Sequence, residues 1–171
     1  MKQTEVQKCI AEVMETEKRS LFCYACYYLG DADEAHDMLQ DLYLSLCGTT
    51  GIVQNTRNLK NYIFRALYNN CKAAMKRKQN ICISSIDSTD VSMIMDFEPR
   101  NFEQEYMLIN KMLNLIPEEQ SEVIRLHIHG EKTFHEISEI LSLPEASVKS
   151  RYRYGIEKLR KMINKDMFFD I

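Results

Sequence analysis

The chain has 171 residues, 45% of them hydrophobic, with 22 Lys or Arg against 25 Asp or Glu and a formal net charge of −3. That length and apolar content suit one or two small domains with real cores, and five Gly with three Pro are too few for a turn-rich strand fold. No apolar run approaches the about 20 residues that cross a membrane, and the polar start MKQTEVQKCIAEV lacks a signal-peptide core, so a cytoplasmic protein is expected.

Residues 1–50 carry four basic and nine acidic groups. All six cysteines lie in the first half: Cys9, Cys23, Cys26, Cys47, Cys71 and Cys82. A cytosolic chain keeps them reduced. Cys23 and Cys26 have the spacing of a zinc half-site, but no second pair accompanies them and zinc takes four ligands, so no metal is expected. They read instead as small apolar residues on a buried helix. A sharp turn is expected at Gly30–Asp31, with a helix from about Asp33. On that helix Met38, Leu42 and Leu46 recur at helical spacing toward a core, while Asp37, Gln40 and Asp41 share the opposite side.

Residues 51–78 carry seven basic groups and no acid. NTRNLKNYIFRALYNNCKAAMKRK is expected to form one long helix, with Leu59, Ile63, Ala66, Leu67 and Ala74 inward. Asn61, Arg65, Tyr68, Asn69, Lys72 and Lys76 are expected on its polar side, with Tyr62 among the interleaved rings. Cations serve a nucleic-acid backbone and rings serve unpaired bases, so this face suits single-stranded DNA; an ordinary amphipathic helix with exposed tyrosines is the plainer alternative. The next stretch, ICISSIDSTDVSMIMDFEPRN, has no sustained helical period and ends in Glu-Pro. A linker is expected over 81–105, between helical domains at 1–80 and 106–171.

In the second domain Pro117, followed by Glu118 and Glu119, opens a helix with Val123, Ile124 and Ile128 apolar, and Gly130 is expected to end it. Thr133 and Glu136 have capping-box spacing, so a short helix starts there with Phe134, Ile137, Ile140 and Leu141 inward. Pro144 then starts a last helix in which Val148, Tyr152, Ile156, Leu159 and Ile163 form a core stripe. Between Glu145 and Lys165 seven Lys or Arg face two Glu. Lys149, Ser150, Arg151, Arg153 and Tyr154 lie off the stripe near its start. A short helix, a tight turn and a basic second helix describe a helix-turn-helix whose second member enters a major groove. His127, His129 and His135 have no acid or Cys cluster to complete a metal site and read as surface or partly buried histidines.

Two basic islands separated by acidic blocks fit two contacts with a polyanion, and the net charge argues against general membrane adhesion, which leaves nucleic acid. With these motifs in place, the chain resembles the RNA polymerase sigma factors of the sigma-70 family, in particular the compact extracytoplasmic-function group. LGDADEAHDMLQDLYLSL is similar to that family's region 2 core, NLKNYIFRALYNN and the following KRK to its promoter-melting segment, and LIPEEQSEVIRLHIHGEKTFHEISEILSLPEASVKSRYRYGIEKLRK to its region 4. The resemblance covers about residues 18–162. It implies that Asp37, Gln40 and Asp41 dock on the polymerase clamp coiled coil. It implies that Asn61, Tyr62, Arg65, Tyr68, Asn69, Lys72 and Lys76 serve the minus-ten element. It implies that Lys149, Ser150, Arg151, Arg153 and Tyr154 read the minus-thirty-five element. The partners implied are core RNA polymerase and promoter DNA, and an anti-sigma protein is a partner common in the group; no cofactor is implied.

The chain departs from the family pattern at Ala73, where an acid is usual, at Tyr62 and Cys47, at Ser142 in place of a turn glycine, and at Ala146–Ser147 in place of Gly-Thr. The main rival is a stand-alone helix-turn-helix regulator that never meets polymerase, which leaves the Asp37 face and the first basic island unused. An enzyme acting on nucleic acid is a weaker rival, because the acids sit on helix faces without a nucleophile or a metal-ligand cluster.

Overall fold

The computed structural model describes residues 2–82 and 102–168, and every regular element among them is an α-helix. The chain divides into two compact units, Met1–Ser92 and Met93–Ile171. Most of the linker expected over 81–105 lies outside the described residues. Its ends differ from expectation, because the fifth helix runs to Cys82 and the sixth starts at Phe102.

The first unit holds α1 (Gln3–Thr16), α2 (Lys18–Leu29), α3 (Ala32–Gly48), the short α4 (Thr50–Gln54) and α5 (Leu59–Cys82). Gly30 ends α2 in the left-handed region at φ 79°, where a side chain would be strained. Asp31 then caps α3, its carboxylate accepting the Glu34 N–H at 2.9 Å. Ala35, Leu42 and Leu46 are buried, while Met38 is half-buried. Asn58 caps α5 through the Asn61 N–H at 3.1 Å. The buried row of α5 is Ile63, Phe64, Leu67 and Cys71, packed on α2 and α3. Leu59, Ala66 and Ala74, expected inward, are only half-buried, because the helix is rolled toward Phe64, whose ring meets Tyr24 edge-on at 6.4 Å. Cys26 is buried as expected of an apolar residue, and Cys23 is partly so.

The second unit holds α6 (Phe102–Leu115), α7 (Glu118–Ile128), α8 (Phe134–Leu141) and α9 (Glu145–Phe168). Pro117 and Pro144 each stand one residue before the helix they introduce rather than as its first residue. Arg125 on α7 donates to Asn110 at 3.3 Å and Asn114 at 3.0 Å, which fastens α6 alongside. The end of α7 differs from expectation. Gly130 follows the cap His129, and a Cβ on it would meet the Leu126 carbonyl oxygen at 2.7 Å. The left-handed residue is instead Glu131, at φ 53°. Ile128, expected to face the core, is 50% exposed, and Leu126 is buried in its place. The capping box at α8 forms in both directions, Glu136 N–H to Thr133 Oγ1 at 3.2 Å and Thr133 N–H to Glu136 Oε2 at 2.8 Å.

Candidate nucleic-acid interface

The helix-turn-helix is formed by α8 and α9. The turn between them passes through Ser142 at φ 54° and ψ 47°, left-handed geometry that a glycine adopts without strain. Ile137 and Ile140 of α8 and Val148 of α9 are buried. The stripe of α9 is Val148, Tyr152, Ile156 and Leu159, but it finishes on Met162 rather than Ile163, which is 46% exposed. Four helical turns from Val148 is slightly more than fourteen residues, and Met162 is the nearer of the two on the packed side. Gly155, which the stripe passed over, is a point of close approach to α7. A Cβ there would lie 2.7 Å from Ile124 Cδ1 and 3.1 Å from Gln120 Cβ. Three rings lock the corner of α7, α8 and α9: His127 stacks on Phe134 at 4.5 Å and meets Tyr152 edge-on at 4.9 Å. The His127 Nδ1 lies 2.8 Å from the Lys132 carbonyl oxygen.

Packing of that side leaves Lys149, Ser150, Arg153 and Tyr154 exposed together. Lys149 pairs with Glu145 at 2.9 Å, and that hydrogen bond and charge hold the Glu145 carboxyl below its usual range. The Arg153 guanidinium lies 5.1 Å from the Tyr154 ring centroid and donates to its hydroxyl at 3.4 Å. Arg151 behaves differently from its neighbours. It is 28% exposed and makes an ion pair with Glu119 on α7 at 3.4 Å. His135 bridges toward Glu139 and Glu145, each at 3.5 Å. His129 at the end of α7 is pushed down to about 4 by burial and by Arg125 beside it.

On α5 the spacing brings Tyr62, Arg65, Asn69, Lys72 and Lys76 onto one side, with Arg65, Asn69 and Lys76 exposed. Tyr68 is half-buried at the margin, its hydroxyl accepting from Lys72 at 3.2 Å. Asn61 does not join them. It is 5% exposed, turned inward by the same roll that buries Phe64, and the expectation of a polar-side Asn61 is corrected. Two ion pairs anchor the helix along its length, Lys60 to Glu17 at 3.5 Å and Lys78 to Glu34. On α3, Asp37, Gln40 and Asp41 are all exposed on one side. Gln40 and the exposed Leu44 border a groove of about 520 Å³ lined also by Met14, Leu21, Leu39 and Tyr43. Sequence reasoning missed this groove, whose apolar walls come from three separate helices.

Residues 112–161 match the family model described as sigma-70, region 4, so this unit is a helix-turn-helix of that class. The chain is matched to that family model over 50 of its 171 residues, all in the second unit. Its fold over nearly the whole length is shared with two solved structures. One is the sigma factor RpoE in complex with the anti-sigma factor NepR from Bartonella quintana, at 19% identity, 92% of this chain, 98% of that chain and TM-score 0.65. The other is CnrH in complex with the cytosolic domain of CnrY, at 14% identity, 96% of each chain and TM-score 0.70. No curated protein sequence matches the chain. The shared fold takes in the first unit as well as the helix-turn-helix. No helix among the described residues is long and apolar enough to cross a membrane.

Proposed function

We propose that the chain works in the cytoplasm as a sigma factor of the extracytoplasmic-function type, a transcription initiation factor rather than an enzyme. It directs core RNA polymerase to promoters and opens them. The observation that carries this reading is the match of residues 112–161 to sigma-70 region 4 in a chain whose other unit holds a second basic helix. The first unit, residues 1–80, binds core polymerase and the minus-ten element. The second, 106–171, reads the minus-thirty-five element, with a linker between them. Asp37, Gln40 and Asp41 are the polymerase contact, with Leu44 and its groove beside them. Tyr62, Arg65, Tyr68, Asn69, Lys72 and Lys76 meet the melted strand, backbone through the cations and bases through the rings. Lys149, Ser150, Arg153 and Tyr154 meet the duplex groove and its phosphates. Both solved structures are complexes with a second protein, an anti-sigma factor in the case of RpoE, and a protein partner of that kind is proposed here too.

The test is assembly with core polymerase. Asp37→Arg combined with Asp41→Arg should abolish holoenzyme formation on a sizing column while helicity and melting temperature stay within error, since both residues are exposed. Core binding at the wild-type level by this double variant would overturn the docking assignment.

A further inference from the structure

Arg151 stands between the exposed Lys149 and Ser150 and the exposed Arg153 and Tyr154, yet it follows the packed side of α9. It is three residues after the buried Val148 and four before the buried Gly155. Three- and four-residue steps keep side chains on one helix face. Arg151 therefore points to the flank that meets α7, where its guanidinium is 3.4 Å from Glu119. Lys149, Ser150, Arg153 and Tyr154 project from the other flank.

α9 is seated by the Tyr152 ring on His127 of α7 and by Ile156 and Leu159 against the cluster of Leu113, Ile116 and Ile124. The contact runs through a glycine, so there is no side chain at position 155 to key into a neighbour, and Ile124 and Gln120 meet bare backbone there. Smooth close contact sets distance well and rotation poorly. An ion pair one turn nearer the start of α9 adds a polar restraint on its roll, because Glu119 sits in the first turn of α7 and Arg151 in the second turn of α9. A small roll of α9 would swing Lys149 and Arg153 out of register with the groove.

We infer that Glu119 and Arg151 are positioning residues for duplex recognition, acting as a pair that sets the roll of α9, and that Arg151 does not itself contact a base. This inference rests on the reading of α9 as the duplex-contacting helix. It carries a sign opposite to simple electrostatics. Removing the negative charge of Glu119 near a DNA-binding surface should raise affinity for a polyanion, whereas loss of the restraint should lower it.

The experiment uses holoenzyme assembled from core polymerase and the full chain. The probe is a duplex enriched by wild-type holoenzyme from a pool randomised upstream, with a fixed pre-melted bubble downstream so that strand opening is not limiting. Glu119→Gln should weaken recovery of the enriched duplex by about two- to fivefold, the range of a partly exposed ion pair. Arg151→Glu should weaken it at least as much, and Glu119→Arg with Arg151→Glu should return most of the loss. The base preferences of the weakened variants should stay those of the wild type. Tighter binding by Glu119→Gln would overturn the inference, as would a double variant no better than Arg151→Glu or a preference lost at a single base pair. Arg153→Ala is run beside them as a check on the underlying reading. If it leaves upstream preference untouched, α9 is not the duplex-contacting helix, whatever the pair does.

Discussion

α5 and α9 are both 24 residues long and both basic, but they are seated differently. α5 is held by bulk. Phe64, Ile63 and Leu67 are buried against α2 and α3, and ion pairs anchor it near each end. α9 is held by Val148 and a row of half-buried side chains, Tyr152, Ile156, Leu159 and Met162, with the bare Gly155 lying directly against Ile124. Their charged faces differ as well. Residues 51–78 contain no carboxylate, whereas Lys149 and Arg151 on α9 are each matched to a named acid. If α5 follows a flexible single strand as proposed, it gains from a run of cations with no acid within its own stretch. A helix that enters a rigid groove gains from side chains whose positions are already set.

The sharpest way to break this comparison is through the cores. Phe64→Ala should cost the first unit about 3–5 kcal/mol, since a fully buried ring leaves a cavity. Urea unfolding of the full chain, followed separately in each unit by hydrogen exchange, should show that loss in residues 2–82 alone. Gly155→Leu acts by the contrary route, overpacking, and should cost the second unit about 1–3 kcal/mol, partly offset by better helix propensity. If Gly155→Leu instead stabilised the unit, α9 would not depend on close approach to α7.

A functional comparison has similar size. Tyr62→Ala and Arg153→Ala should each cost about 1–3 kcal/mol of DNA interaction, but at different steps. A pre-melted bubble template should rescue transcription by Tyr62→Ala and do little for Arg153→Ala. Equal rescue of both, read by permanganate footprinting, would remove the division between the two faces.

A smaller effect separates the units by pH. His129 has its folded value lowered from 6.5 to about 4, so the unfolded chain binds the extra proton first. Stability from this group is complete above pH 6.5 and is lost as pH falls toward 4. The urea midpoint of the second unit should drop between pH 7 and pH 5, and His129→Gln should flatten that drop. The smallest expected change is a gain. Ser142→Gly relieves left-handed strain in the turn of the helix-turn-helix and should add about 0.4–1 kcal/mol, net of the extra freedom it gives the unfolded chain. A lower melting temperature would mean the serine side chain holds the turn.

Much of this was legible before any coordinates, wherever a signal is local. The Thr133–Glu136 box, the Gly30–Asp31 turn and the proline-led helices are decided within four residues by backbone donors seeking acceptors. The charge blocks are a count. What escaped is decided by neighbours distant in sequence. Asn61 has the composition of a surface residue, and only the roll of α5 against α2 and α3 buries it. Gly155 looks like a blemish in a helix until Ile124 is brought against it. Arg151 cannot be separated from Arg153 by residue type, because the difference is Glu119, which lies 32 positions earlier. At the end of α7 the expected glycine is present, yet the left-handed turn falls one residue later, on Glu131, because Gly130 is needed where Leu126 leaves no room for a Cβ.

The His127 ring has a consequence for measurement. A carbonyl oxygen can only accept, so contact with Lys132 requires hydrogen on Nδ1, while the ring's faces and edge are taken by Phe134 and Tyr152 from two other helices. One side chain thus carries a spectroscopic signature of the whole three-helix corner, readable from its two nitrogen resonances in a labelled sample. Rigid docking on duplex DNA would leave those resonances where they stand in the free protein, and a rearrangement of α9 on binding would shift them, so that a single imidazole distinguishes lock-and-key entry into the groove from remodelling.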